Sequence, residues 1–137
     1  MTVPVDDLRS RTMRAVRSKD TAPEMLVRKL LHAAGYRFRL HRKDLPGSPD
    51  LVFPGRRKVV FVHGCFWHGH DCKRGARTPK TNAEYWQAKI ARNIVRDGRA
   101  LTALAETGWR TAIVWECDLS NPSAMLARID VFLQEDR

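Results

Sequence analysis

Cysteine occurs three times in this chain, and two of the three bracket the segment Cys65-Phe66-Trp67-His68-Gly69-His70-Asp71-Cys72, which also holds two histidines. Structural zinc takes four nitrogen or sulfur ligands in a tetrahedron. Cys65, Cys72 and one histidine supply three, and Cys117, just past an expected strand end, supplies the fourth. Such a Cys3His site constrains the fold, because it ties a loop to a strand far along the chain. His68 and His70 compete for the single histidine place. Two residues apart in an extended segment, they project to opposite sides, so one is left over for chemistry. The alternative, three unrelated buried thiols, fits poorly with a Gly-rich polar loop that offers little apolar burial. An odd count of cysteines is also no disulfide framework, and it points to a reducing compartment, the cytoplasm.

Hydrophobic periodicity places elements on either side of that loop. Leu8, Thr12, Met13 and Val16, among Arg9, Arg11, Arg14 and Arg17, predict a short basic helix over 6–18. Thr21-Ala22-Pro23-Glu24 reads as a capping box, and the stripe Leu26, Val27, Leu30, Leu31 and Ala34 runs from it to a stop at Gly35. Tyr36–Leu40 alternates like a half-buried strand, and Asp50–Phe53 follows the turn Leu45-Pro46-Gly47-Ser48-Pro49. Pro54–Arg57 is a tight connection into Lys58–His63, a run apolar on both faces and therefore a central strand. A long helix is expected from Asn82 to Thr107, a strand over Trp109–Trp115, and a closing helix over Ser123–Leu133. The order α-α-β-β-β-α-β-α implies an α/β fold, a small mixed sheet flanked by helices in one domain over 1–137, with 1–20 as a basic N-terminal arm.

Charge narrows the partner. Lys and Arg number 25 against 15 acidic residues, a net +10, and residues 1–43 alone carry 11 basic and 4 acidic side chains. An excess of this size suits a polyanion, nucleic acid above all. A membrane partner is not expected: no apolar run approaches the roughly 20 residues that span a bilayer, and no amphipathic helix pairs basic groups with a Trp/Phe/Leu face. The N-terminus has no apolar core segment of the secretory kind.

Asp50 opens one strand and His63 ends the next, so a hairpin brings them together. A carboxylate can hold a hard divalent cation while an imidazole moves a proton, the two requirements of phosphodiester hydrolysis. Read plainly, Asp50 could equally cap a turn and His63 could be a core histidine. Phe66, Trp67 and Trp86 are candidates to stack on bases or wedge between base pairs. On the long helix Trp86, Lys89, Asn93 and Asp97 recur on successive turns, as a face that either contacts DNA or is simply solvated. Ile90, Ile94, Leu101 and Leu104 form the expected apolar stripe opposite it.

His63-Gly64-Cys65-Phe66-Trp67-His68, with His70, Cys72, Leu45–Asp50 and Ile113-Val114-Trp115-Glu116-Cys117, resembles the very short patch repair DNA mismatch endonucleases, from about Met13 to Leu119. The resemblance implies a restriction-endonuclease-like core, a structural zinc ion, and a magnesium-dependent nick 5′ to the thymine of a T:G mismatch, the lesion left when 5-methylcytosine deaminates. Position by position, it implies zinc on Cys65, His70, Cys72 and Cys117, and magnesium on Asp50 and the main-chain oxygen of Val62. It implies His63 and His68 beside the scissile phosphate, Asp97 orienting a histidine, and Glu24 near the site. Phe66, Trp67 and Trp86 match its wedge, and Lys89 and Asn93 the residues that contact the mispair. Val62 departs from a familiar threonine and removes a side-chain oxygen. Expected partners are double-stranded DNA with a T:G mismatch and mismatch-repair proteins. A monomer suffices for an asymmetric lesion, and the expected location is the cytoplasm, at the bacterial nucleoid. A zinc-stabilised DNA-binding protein without nuclease activity and a less selective restriction-like nuclease are the competing readings.

Overall fold

The segment from 58 to 63, with valines at 59, 60 and 62, forms the strand on which the rest is built. This computed structural model describes residues 21–66, 68, 70, 72 and 81–135. The basic helix over 6–18, the N-terminal arm and Trp67 lie outside the described residues. In chain order the elements are α1 (Ala22–Ala33), β1 (Arg39–Leu40), β2 (Leu51–Phe53), β3 (Lys58–His63), α2 (Ala83–Glu106), β4 (Arg110–Trp115) and α3 (Pro122–Gln134). Short 3-10 turns cover Pro54–Arg56 and Glu116–Ser120.

The sheet order is β1-β2-β3-β4, and β3 is internal, as its two-sided apolar character requires. β1, β2 and β3 are antiparallel neighbours, whereas β3 and β4 are parallel, with His63 opposite Trp115. A parallel pair needs a long crossover, and α2 supplies it. Alternation then divides the core. Leu51, Phe53, Val60 and Val114 pack with Val27 and Leu31 of α1 and Met125, Ile129 and Leu133 of α3. Val52, Val59 and Phe61 pack with Leu104 of α2 on the other side. Full burial of each such side chain is worth about 1.5–3 kcal/mol.

The strand expected over 36–40 shrinks to Arg39–Leu40. Tyr36 and Phe38 still pack edge-on against Phe53, with ring centroids 6.2 and 5.8 Å away. The strand ends at Leu40, and His41, with φ +48°, turns the chain away after one more backbone hydrogen bond. Lys58 shows how a charged group enters a core: its Nζ donates to the carbonyls of Phe132 (2.6 Å), Leu133 (3.3 Å) and Glu135, closing the end of α3.

Candidate active site and metal-ligand cluster

The turn before β2 sets the position of Asp50. Gly47 has φ +76°, and a Cβ there would lie 2.8 Å from Ala100 Cβ and 3.2 Å from the Phe61 ring, so only glycine lets this turn seat against α2. Asp50 follows at the mouth of a cleft of about 370 Å³ lined also by His63, His68, Arg96 and Asp97. Its Oδ2 accepts a hydrogen bond from the Val62 N–H at 2.7 Å. Burial raises the Asp50 carboxyl and the Val62 N–H opposes it; nearby Glu24 adds to the rise, and the result is about 7.

Glu24 behaves only half as its capping box suggests. Its N–H donates to Thr21 Oγ1 at 3.4 Å, as expected. Its carboxylate does not reach back to the cap. It is buried, with Oε2 held by Arg28 and by His41 Nε2 at 2.7 Å. Glu24, His41 and Asp50 place ligand atoms within 4.8 Å of one another, so Glu24 does lie beside Asp50. Arg28 Nη2 also approaches His41 Nε2 to 3.3 Å. The His41 contribution had no sequence signal. It follows from register, because the His41 N–H donates to the Asp50 carbonyl at 3.2 Å.

His63 and His68 meet face to face, with ring centroids 3.7 Å apart and 5° between planes. His68 Nδ1 lies 2.5 Å from Asp97 Oδ2. An ionised carboxylate only accepts, so it selects the tautomer with the proton on Nδ1 and leaves Nε2 as a base. Burial raises Asp97, but the bond to His68 and the electrostatic attraction of His68, His63 and Arg96 together outweigh it, and its carboxyl ends below the usual range. His63 is buried, and burial together with the His68 charge pushes it down to about 3. It is therefore neutral at physiological pH, and His68 is the better-placed proton carrier.

The other histidine goes elsewhere. Cys65, His70, Cys72 and Cys117 bring their ligand atoms within 4.8 Å of one another. Cys117 Sγ lies 3.5 Å from His70 Nδ1, and the Cys117 N–H donates to Cys65 Sγ at 3.4 Å. Burial pushes the Cys65 thiol up to about 12, so a thiolate there needs a cation beside it. Three soft sulfurs and one imidazole fit zinc in donor number and type. The split of His68 and His70 between two clusters follows from a turn, not an extended segment: the N–H groups of His68 and His70 donate to the carbonyls of Gly64 (3.3 Å) and Cys65 (3.0 Å).

The face drawn on α2 needs correction. Trp86 and Asn93 are buried, 3% and 4% exposed, whereas Ile94 is 48% exposed. At 100° per residue, Trp86, Ile90, Asn93, Asp97, Leu101 and Leu104 fall on one stripe, and Ile94 lies off its edge. The polar and apolar sets thus share the inward side, with Asp97 at the cleft and Leu104 in the core. Trp86 packs edge-on to Phe66 at 6.0 Å. Lys89 Nζ lies 5.8 Å from the Trp86 ring. Arg96, which no pattern flagged, lines the cleft and donates to Asn93 Oδ1 at 2.8 Å.

Comparison with known proteins places the chain among DNA endonucleases. The model of the family described as DNA mismatch endonuclease Vsr matches residues 3–74. The Type II nicking enzyme V.XorIIP of Xanthomonas oryzae pv. oryzae is 61% identical over 117 residues, covering 85% of each chain. The Type II nicking enzyme V.NmeAIP of Neisseria meningitidis is 42% identical over 127 residues, 93% of this chain and 90% of the relative. The DNA mismatch endonuclease Vsr of Escherichia coli is 47% identical over 111 residues, 81% of this chain and 70% of its own length.

Proposed function

Because the chain belongs to the Vsr family of DNA mismatch endonucleases, we propose that it is a DNA endonuclease that nicks one strand of a duplex 5′ to the thymine of a T:G mismatch. Its mixed sheet flanked by helices is the restriction-endonuclease-like fold of that family. The observation that carries the proposal is the gathering of Asp50, His63, His68 and Asp97 around one cleft.

Asp50 is a hard oxygen donor at that cleft, fixed by the Val62 N–H and next to a second carboxylate. This donor set fits magnesium. Asp50 is the proposed ligand together with the Val62 carbonyl, and a bound magnesium ion would supply charge stabilisation to the phosphate. His68 Nε2 takes the proton of the attacking water, while Asp97 holds the Nδ1–H and stabilises the imidazolium that forms. His63 fixes the plane of His68 by stacking on it. Glu24, clamped by Arg28 and His41, adds negative charge beside Asp50.

Cys65, His70, Cys72 and Cys117 would hold zinc, which would tie the loop after β3 to the end of β4. Phe66 and Trp67, in the sequence of that loop, are the assigned wedge residues. Trp86 packs edge-on against Phe66, and Lys89 and Asn93 are the residues assigned to contact the mispair. The protein acts as a monomer in the cytoplasm, on mismatch-bearing DNA and alongside mismatch-repair proteins. No helix among the described residues is long and apolar enough to cross a membrane.

Digestion of duplexes labelled on each strand, carrying every mismatch in turn, tests this reading. The expected result is one magnesium-dependent band from the thymine strand of T:G. A gel shift without cleavage would support a DNA-binding role instead, and equal cutting of matched duplex would support a less selective nuclease.

A further inference from the structure

An imidazole that works in a site is normally aimed by a hydrogen bond from its second nitrogen. His63 has none at Nδ1 among the described residues, although that atom is buried. Ring packing must orient it. His68 stacks on it, Phe61 lies tilted at 5.5 Å, and Trp115 stands edge-on at 5.3 Å with 74° between planes. Phe61 belongs to the same strand as His63. Trp115 is a contact from the neighbouring strand, placed there by the parallel register that sets it opposite His63.

The indole has a second partner. His70 stacks on it at 4.1 Å with 15° between planes, and His70 Nδ1 faces Cys117 Sγ at 3.5 Å. His68 also lies edge-on to it at 6.3 Å. One side chain therefore touches the leftover histidine pair and a member of the Cys/His cluster together. Two residues further on is Cys117 itself, so whatever fixes that cluster fixes the Trp115 backbone.

We infer that Trp115 is a positioning residue, which aims the His63–His68 pair into the cleft and holds it in register with the Cys/His cluster. The inference rests on the proposed nuclease reading, in which His68 moves the proton. Displacing a catalytic group by about 1 Å costs on the order of 100-fold in rate without weakening binding of the substrate.

Trp115→Leu and Trp115→Phe in the full chain test it. For Trp115→Leu the expected results are a nicking rate on T:G duplex lower by roughly 10- to 100-fold, an unchanged KM, and one zinc retained per chain. Trp115→Phe keeps an aromatic face and recovers most of the rate. A second readout needs no activity: in the free protein, the imidazole NMR signals of His63 and His68 split or broaden in Trp115→Leu and stay single in Trp115→Phe. An unchanged rate and unchanged signals in Trp115→Leu would overturn the inference. So would a rate loss that tracks zinc loss in both variants, since that is a merely structural role. Wild-type protein that leaves T:G duplex intact would count against the nuclease reading alone, and the NMR comparison would still decide the role of Trp115.

Discussion

Replacing Asp97 by Asn keeps the shape of the side chain and removes what it does for His68. The carboxylate now lies 2.5 Å from His68 Nδ1 and can only accept a hydrogen bond. An amide can offer its NH2 group instead. Nδ1 then becomes the acceptor, and the proton moves to Nε2, the nitrogen that has to receive one from water. The stabilising charge behind the imidazolium also disappears. General acid–base catalysis is worth about 10²- to 10⁴-fold. Loss of most of it lowers single-turnover nicking by roughly 10³-fold, about 4 kcal/mol of barrier. The Asp97 side chain is 23% exposed and its partner 19%, and Asn keeps one hydrogen bond to the ring, so the substitution costs about 1 kcal/mol of folding stability. The assay is a rapid-quench nicking measurement with saturating enzyme on T:G duplex, beside a thermal melt and a mismatched-DNA binding isotherm. The expected outcome is a large rate loss with melting and affinity nearly unchanged. Asp97→Asn added to His68→Ala should cost little more than His68→Ala alone, because the two act as one unit. Nicking within about threefold of wild type, or a loss shared equally by DNA binding, would refute the reasoning.

Cys117→Ser should release the metal and lower the melting temperature by about 10 °C, as expected when a structural site worth at least ~3 kcal/mol is lost; metal analysis and calorimetry check it. Gly47→Ala should destabilise by about 2–4 kcal/mol in urea unfolding, from its left-handed φ together with the 2.8 Å approach to Ala100 Cβ. Ala100→Gly in the same chain should restore part of that loss. Full additivity of the two changes would show that the contact does not matter. His41→Gln should keep the fold and weaken the response of nicking to magnesium, because His41 helps hold Glu24 against Asp50. A magnesium titration identical to wild type would remove His41 from the site.

Much of the architecture could be read directly from residue patterns, for local reasons. β3 is valine-rich and apolar on both faces through its middle, so it had to be internal, and α2 ends where Gly108 follows Thr107. The Cys/His cluster was legible because so few residue types can ligate zinc. Harder to see was whatever depends on register across strands. His41 enters the site only because its backbone pairs with that of Asp50, and Trp115 only because β4 runs parallel to β3 at that alignment. The reading of α2 failed for a simpler reason. Counting in fours separated Asn93 from Leu104, although the true pitch puts both on the inward stripe. The capping box misled in part because Thr21 does cap the helix, while Glu24 has stronger partners in Arg28 and His41 than the free N–H of a helix end.

These contacts give the nuclease a division of labour. In the proposed mechanism, sulfur ligands would fix the loop and the strand end, the Trp115 indole packs against two stacked imidazoles, and the Asp50 carboxylate lines the same cleft. The account depends above all on that carboxylate. Asp50→Asn, measured for magnesium-dependent nicking of T:G duplex and for binding of the same duplex, is the most direct test. The expected rate is lower by at least about 10³-fold, with affinity for the mismatch preserved. Nicking that persists near the wild-type rate would contradict it.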